Sequence, residues 1–232
     1  METLNVLSAG AAQAVVERAA AEFRRDHASR CATVFGGVHA MRLRLLAGEA
    51  ADVVVLTDEL IDDLIVRRLV VAGSRVDLGT VSTGVAVRTG TWMPDMRSGL
   101  TLLETLLAAR RIVAPDPQVA TAGRVLQAAL QSLGIEEQVV PRLVWAESGH
   151  AALKRLAAGD GDHELAVVQM TEIVGSPGVC LAGPLPAELQ RPSVYSAGLA
   201  TASCDPERSS EFIRRLKTFS SQMEAEGFGA CP

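Results

Sequence analysis

The hydrophobic pattern of the chain switches repeatedly between two periods. In "NVLSAGAAQAVVERAAAEF" a short apolar segment beginning at Asn5 passes through a small-residue turn into an alanine-rich amphipathic run. An alternating or continuous apolar run followed by a 3.6-residue period predicts a strand handing over to a helix. The scheme recurs in "CATVFGGVHAMRLRLLAG", with a strand over 31–35, the pair Gly36-Gly37 and a helix to Ala47. It recurs in "ADVVVLTDELIDDLIVRRLV", where Thr57-Asp58 stands at the N-cap position after a strand over 52–56. Three later copies follow. A strand over 111–114 leads through two prolines to a helix opening near Thr121-Ala122-Gly123 and closing at Gly134. Ser148-Gly149 opens the next helix, and Gln169 and Thr171 stand at the last turn.

Six strand-to-helix turns furnished with Gly, Ala, Ser, Thr or Gln predict an α/β protein with mainly parallel sheets covered on both faces. Ligands of such sheets sit beyond the carboxyl ends of the strands, where these turns lie. Ser8, Gly10 and their alanine neighbours leave the first helix terminus uncovered by any bulky side chain. A bare terminus offers unpaired amide N–H groups and partial positive charge to an anion. Two β-rich segments, 74–90 and 191–203, break the alternation and read as crossovers. They predict one lobe from residues 1–80 and 198–232 and an inserted lobe from 81–197, with the ligand in a cleft between them.

Composition narrows the classes. The 232 residues are 48% hydrophobic and 21% charged, with a net charge of −5 and basic residues scattered along the chain. That excludes the basic stripe of a nucleic-acid binder. No window offers the roughly 18 apolar residues of a membrane span, so no membrane insertion is expected. Met1-Glu2-Thr3 has no basic leader region, which predicts a cytoplasmic protein, or a periplasmic one whose signal peptide is missing from the sequence. Cys31, Cys180, Cys204 and Cys231 are widely spaced and read as buried free thiols. Neither a metal site nor a cofactor is expected: HExxH, GxGxxG and P-loop patterns are missing, and "GDGDHE" over 159–164 is too short for a calcium loop.

Three stretches, "LLAGEAADVVVLTDELIDDL", "DPQVATAGRVLQAALQSLG" and "GPLPAELQRPSVYSAGLA", resemble the type II periplasmic binding protein fold in its molybdate-binding branch. The resemblance covers nearly the whole chain. It implies a two-lobed solute-binding protein that closes on a small anion, with an ABC permease as partner if it is a transporter subunit. In that branch serine hydroxyls at the first two turns, backbone amides and a tyrosine hold the oxyanion. Here the matching positions fall on Ala11, on Gly36-Gly37-Val38 and near Gln169, so amides remain while hydroxyls are replaced. "SAGA", "GVAVR", "MTEI" and "GPLPAELQ" also resemble aconitate-isomerase-like members of the fold. Those shift a double bond along a tricarboxylate, which leaves binder and enzyme both open.

A polycarboxylate or oxyanion needs several donors. Converging helix termini supply up to ~2 kcal/mol each, against about 8 kcal/mol for micromolar affinity. Hydroxyls at Thr57, Thr121 and Ser148, with Thr83 in the crossover, either cap helices only or cap and touch ligand as well. An allylic proton shift would need a base; His39 and His150 stand just inside helix starts, and Glu147 is near the second. Asp116 and Glu172 are further acids, with capping as their structural alternative. The expected ligand set is therefore Ser8, Gly10, Ala11, Gly36, Gly37, Val38, Thr57, Thr83, Thr121, Ala122, Gly123, Ser148, Gly149 and Gln169, with His150, His39 and Glu147 as candidate proton carriers.

Overall fold

The longest apolar runs become the central strands. A computed structural model describes residues 3–27, 30–223 and 228–229. In it β1 (Thr3–Ala9), β2 (Arg30–Gly36) and β3 (Val53–Thr57) run parallel, each followed by a helix: α1 (Gln13–His27), α2 (Val38–Leu46) and α3 (Asp58–Val66). Every residue of β3 is buried, as a strand covered on both faces requires. α1 buries Val15, Val16, Ala19, Ala20 and Phe23 along one stripe, while its last turn carries Arg24, Arg25 and His27, favourable against the helix dipole.

The chain divides into two units, Met1–Val81 with Ser193–Pro232, and Ser82–Pro192. In unit 1 β4 (Val76–Val81), β10 (Ser193–Leu199) and the short β11 (Phe228–Gly229) complete a sheet of order β11-β4-β10-β3-β1-β2. β10 pairs with β3 and β4 from Ser193 to Leu199. The expected boundary at 197/198 thus falls inside a strand of unit 1. α9 (Pro206–Ser220) packs on this sheet; Asp205 caps it by accepting the Arg208 N–H, with Pro206 in its first turn.

Unit 2 has the order β7-β6-β8-β5-β9. Its strands are β5 (Thr83–Arg88), β6 (Arg111–Pro115), β7 (Leu143–Ala146), β8 (Glu164–Gln169) and β9 (Val179–Pro184). Its helices are α4 (Gly99–Ala108), α5 (Thr121–Leu133), α6 (Glu136–Val139), α7 (Gly149–Ala157) and α8 (Met170–Ile173). α5 buries Ala122, Val125, Leu126, Ala129 and Leu130, and Gly134 at φ 66° ends it in the left-handed conformation that favours glycine. Each unit has apolar residues of its own at the core, around Phe23, Phe212 and Leu56 in the first and Leu102, Leu106 and Ile112 in the second.

The α/β class holds, but the sheets are mixed rather than mainly parallel. The turn-bearing strands are parallel, whereas β4, β5, β9 and β10 pair antiparallel with their neighbours. These are the crossover segments and the strand leading to one, and apolar content alone does not encode strand direction. Cys31, Cys180 and Cys204 are free, yet Cys204 is exposed and the other two only partly covered; Cys231 lies outside the described residues, as do Met1 and Glu2. Burial pushes the Cys31 thiol up to about 11, against the opposing pull of Arg24. No described helix is long and apolar enough to cross a membrane.

Candidate functional site

In unit 1 the parallel register brings three strand ends to one edge, with Ala9 opposite Gly36 and Ser8 opposite both Phe35 and Val55. None of the three helix starts there has a side-chain cap. Ala9 precedes a 3-10 turn, Gly10–Ala12, that leads into α1; Gly37 precedes α2 and Thr57 precedes α3, all without a capping hydrogen bond from the side chain. Small residues leave these termini to their backbone amides. Ser8 is fully buried in β1, and its hydroxyl donates to the Ala9 carbonyl at 3.0 Å. Gly10, Ala11 and Val38 are buried in the first helical turns. A Cβ on Gly36 would lie 2.7 Å from the Met41 methyl, so the second turn packs tightly against its own helix.

His39 is the second residue of α2. Arg42 and Arg44 on the same helix are committed elsewhere, Arg42 to Asp63 through Nε at 2.8 Å and Nη2 at 2.6 Å, and Arg44 to Glu49. Tyr195, buried on β10, is in register with Thr57 at the end of β3. Sequence reasoning passed over Tyr195 because it lies inside a crossover strand, and its place beside β3 depends on strand order.

In unit 2 the ends of β6, β7 and β8 share one edge. Asp116 builds the first turn: its N–H donates to the Ala146 carbonyl, its carboxylate accepts from Gln118 N, and its carbonyl accepts from Val119 and Ala120. These bonds are of the kind given above as the structural alternative for Asp116. Ala120 is the N-cap of α5, and its methyl group cannot make a capping hydrogen bond. Thr121 is one residue inside the helix rather than its cap. Thr121 is buried, and its Oγ1 finds no hydrogen-bond partner among the described residues. Ala122 and Gly123 complete the turn; a Cβ on Gly123 would stand 2.1 Å from the Pro115 carbonyl, so only glycine lets α5 start this close to the strand end.

Ser148 does cap α7, accepting the Ala151 N–H at 3.1 Å. That bond uses the oxygen as acceptor and leaves the hydroxyl proton for another contact. Gln169 caps α8 in a reciprocal box, its own N–H donating to Glu172 Oε2 at 3.3 Å. The Thr83 hydroxyl donates to Gln169 Oε1 at 3.4 Å. Gln190 holds Thr83 in place by accepting its N–H and donating to its carbonyl at 2.8 Å. That clasp spans 107 residues of sequence, and nothing local announces it.

The buried Glu172 carboxylate lies against the start of α7, where a Cβ on Gly149 would be 2.0 Å from Oε2. Its Oε1 is 3.5 Å from His150 Nδ1. The carboxylate at His150 is thus Glu172, while Glu147 is exposed at the head of the turn. A cavity of about 560 Å³ adjoins Gln190, bounded by Ser82, Met96, Gly183 and Leu185. The charges on its wall, Asp95 and Arg97, pair with each other at 2.6 Å, so it offers no uncommitted cation. Among the described residues no cluster of His, Cys, Asp and Glu is arranged to hold a metal.

The pattern of bacterial extracellular solute-binding proteins matches residues 4–228. The chain belongs to this family. Among solved structures, the periplasmic molybdate-binding protein of Azotobacter vinelandii is 20% identical, with a TM-score of 0.83 over 99% of this chain and 100% of that one. The sulfate-binding protein SubI of Mycobacterium tuberculosis H37Rv is 15% identical, with a TM-score of 0.72 over 98% and 86%. These likenesses establish the solute-binding fold. An aconitate isomerase from Pseudomonas sp. is 27% identical over 99% of this chain and 88% of its own length.

Proposed function

We propose that this family member binds a small anion, an oxyanion or a polycarboxylate, at its strand-to-helix turns. The observation that carries the reading is the Thr121 hydroxyl, buried without a partner in the first turn of a 13-residue helix. An unpaired buried hydroxyl costs about 1–3 kcal/mol, and a ligand oxygen accepting from it would offset that cost where the helix dipole already favours negative charge. The uncapped termini of α2 and α3 and the 3-10 turn before α1 supply further amides. Molybdate- and sulfate-binding neighbours of the same fold support the anion class. On this reading the protein works outside the cytoplasmic membrane and delivers its ligand to an ABC permease.

The test is a thermal-shift and calorimetry screen over molybdate, sulfate, phosphate and di- and tricarboxylates. At a hundred times Kd a ligand stabilises by about 2.7 kcal/mol, which raises the Tm of a chain this long by roughly 5–10 °C. Thr121→Val should then weaken binding about tenfold, the loss of one hydrogen bond worth about 1.4 kcal/mol. A ligand whose affinity ignores that substitution would remove α5 from the site.

A second reading is an isomerase that moves a double bond in an unsaturated polycarboxylate. The relative that favours it is the aconitate isomerase, 27% identical across 99% of this chain. Proton NMR of trans-aconitate with the protein separates the two readings. New cis-aconitate signals would establish the enzyme, and their absence at high protein concentration would leave the binder.

A further inference from the structure

We infer that His150 and Glu172 form an acid–base dyad in unit 2, with His150 carrying the proton and Glu172 positioning it. The inference rests on the isomerase reading and assigns its machinery. Glu172 comes from the turn after β8 and His150 from the turn after β7, 22 positions apart, and Glu172 Oε1 lies 3.5 Å from His150 Nδ1. The two ends differ in surroundings: the Glu172 side chain is 7% exposed, that of His150 37%. One end of the pair is built into the fold, and the other reaches the surface of the unit.

Three features hold the carboxylate. Its Oε2 accepts the Gln169 N–H at 3.3 Å. The absent Cβ of Gly149 makes room for it, since a methyl group there would overlap Oε2 at 2.0 Å. The start of α7, a nine-residue helix, favours its negative charge. A carboxylate fixed in this way stands at ion-pair distance from Nδ1; drawn in to hydrogen-bond length when substrate binds, it accepts from Nδ1–H and selects the tautomer in which Nε2 carries the lone pair. The consequence is a base oriented by its partner, with a counter-charge beside the imidazolium it becomes. Ser148, one residue ahead of Gly149, accepts the Ala151 N–H and keeps the first turn of α7 in place.

The step balances without a co-reactant. His150 Nε2 takes a proton from a saturated carbon next to the carboxylate-bearing double bond. The C–H electron pair enters the conjugated system and the double bond moves over by one carbon. The imidazolium then returns a proton to the carbon at the far end of the allylic unit. Nothing is oxidised or reduced and no group leaves. His150 acts as base and then as acid, and Glu172 neither gives nor takes a proton in the step.

The test follows trans-aconitate in D2O by proton NMR, together with nitrogen NMR of the His150 ring, for the wild type, Glu172→Gln and Glu172→Asp. The dyad predicts conversion with deuterium uptake by the wild type, and a protonated Nδ1 at neutral pH. Glu172→Gln, nearly the same shape, should lower kcat by about 100-fold or more with KM changed less than about threefold, and should shift the proton from Nδ1. Glu172→Asp, which keeps the charge, should recover part of both. Conversion by the wild type with kcat unchanged in Glu172→Gln would overturn the dyad and leave the isomerase reading standing. No conversion and no deuterium uptake by the wild type would overturn that reading and the catalytic role with it. The ring spectrum then decides the pairing alone, and an unprotonated Nδ1 would overturn that too. A circular-dichroism spectrum and melting curve matching the wild type exclude misfolding of either variant as the cause.

Discussion

Units 1 and 2 begin their turn-borne helices in different ways. In unit 1 the termini after β1, β2 and β3 carry no side-chain cap and offer only backbone. In unit 2 Ser98 caps α4, Ser148 caps α7 and Gln169 caps α8, while α5 lacks a side-chain cap and has the orphan Thr121 hydroxyl instead. The difference is chemical. Amides of an uncapped terminus bind an anion by position and dipole, with little regard to its shape beyond the oxygens it presents. Side chains at the termini discriminate, and they include the one His–carboxylate pair described at a strand-to-helix turn. The turns of unit 1 thus suit any anion, and those of unit 2 a more particular one.

The largest expected effect comes from closing the one turn of unit 2 that resembles those of unit 1. Gly123→Ala places a methyl group where the Pro115 carbonyl lies 2.1 Å away, so α5 must back off its strand. We expect a loss of about 1–3 kcal/mol from overpacking, a Tm lower by roughly 2–12 °C, and weaker ligand binding in calorimetry. A stable variant with intact affinity would show that α5 need not start where it does.

A smaller effect compares the caps directly. Ser148→Ala removes the acceptor for Ala151 N–H and should cost about 1 kcal/mol, or roughly 2–4 °C in Tm. Thr57→Val removes no capping bond and should leave Tm within about 1–2 °C, while lowering affinity if the hydroxyl touches ligand. Equal melting shifts for the two variants would break the contrast between the units.

The smallest effect concerns charge held inside unit 1, away from its turns. Burial would raise the Asp77 carboxyl, but the Ser196 hydroxyl at 2.7 Å and the Arg75 guanidinium at 3.0 Å together hold it below its ordinary value of 3.8. A carboxylate depressed by folding contributes stability above its unfolded pKa and loses it as pH falls through the lower folded value. Urea midpoints should therefore decline as pH falls below about 4, and Ser196→Ala should flatten that decline. A decline of the same steepness in the variant would place its origin elsewhere.

What the sequence made legible was local, and what it concealed was distant. The strand, turn and helix sequence at Ala9, Gly37, Thr57, Thr121, Ser148 and Gln169 follows from period changes and small residues within a dozen positions. Capping at Ser148 was readable for the same reason. Thr57 and Thr121 looked alike, yet one stands at an N-cap without bonding and the other sits one residue further in, a difference decided by backbone packing against the strand end. Gln190 on Thr83, Tyr195 in register with Thr57 and Glu172 beside His150 depend on how the chain orders its strands in each sheet. Sheet order is invisible in a run of valines. Glu172 did leave a trace, three residues after Gln169 at the spacing of a capping box, though nothing local shows its second partner.

The place of β10 in unit 1 has a consequence for how the chain is made. It lies between β4 and β3 in the sheet, yet it is drawn from the far side of the whole inserted unit. As the polypeptide leaves the ribosome, β3 and β4 exist with no strand to join them until Ser193–Leu199 emerges. By then every residue of unit 2 has already been synthesised. The unit that begins the chain is the last to have all its parts.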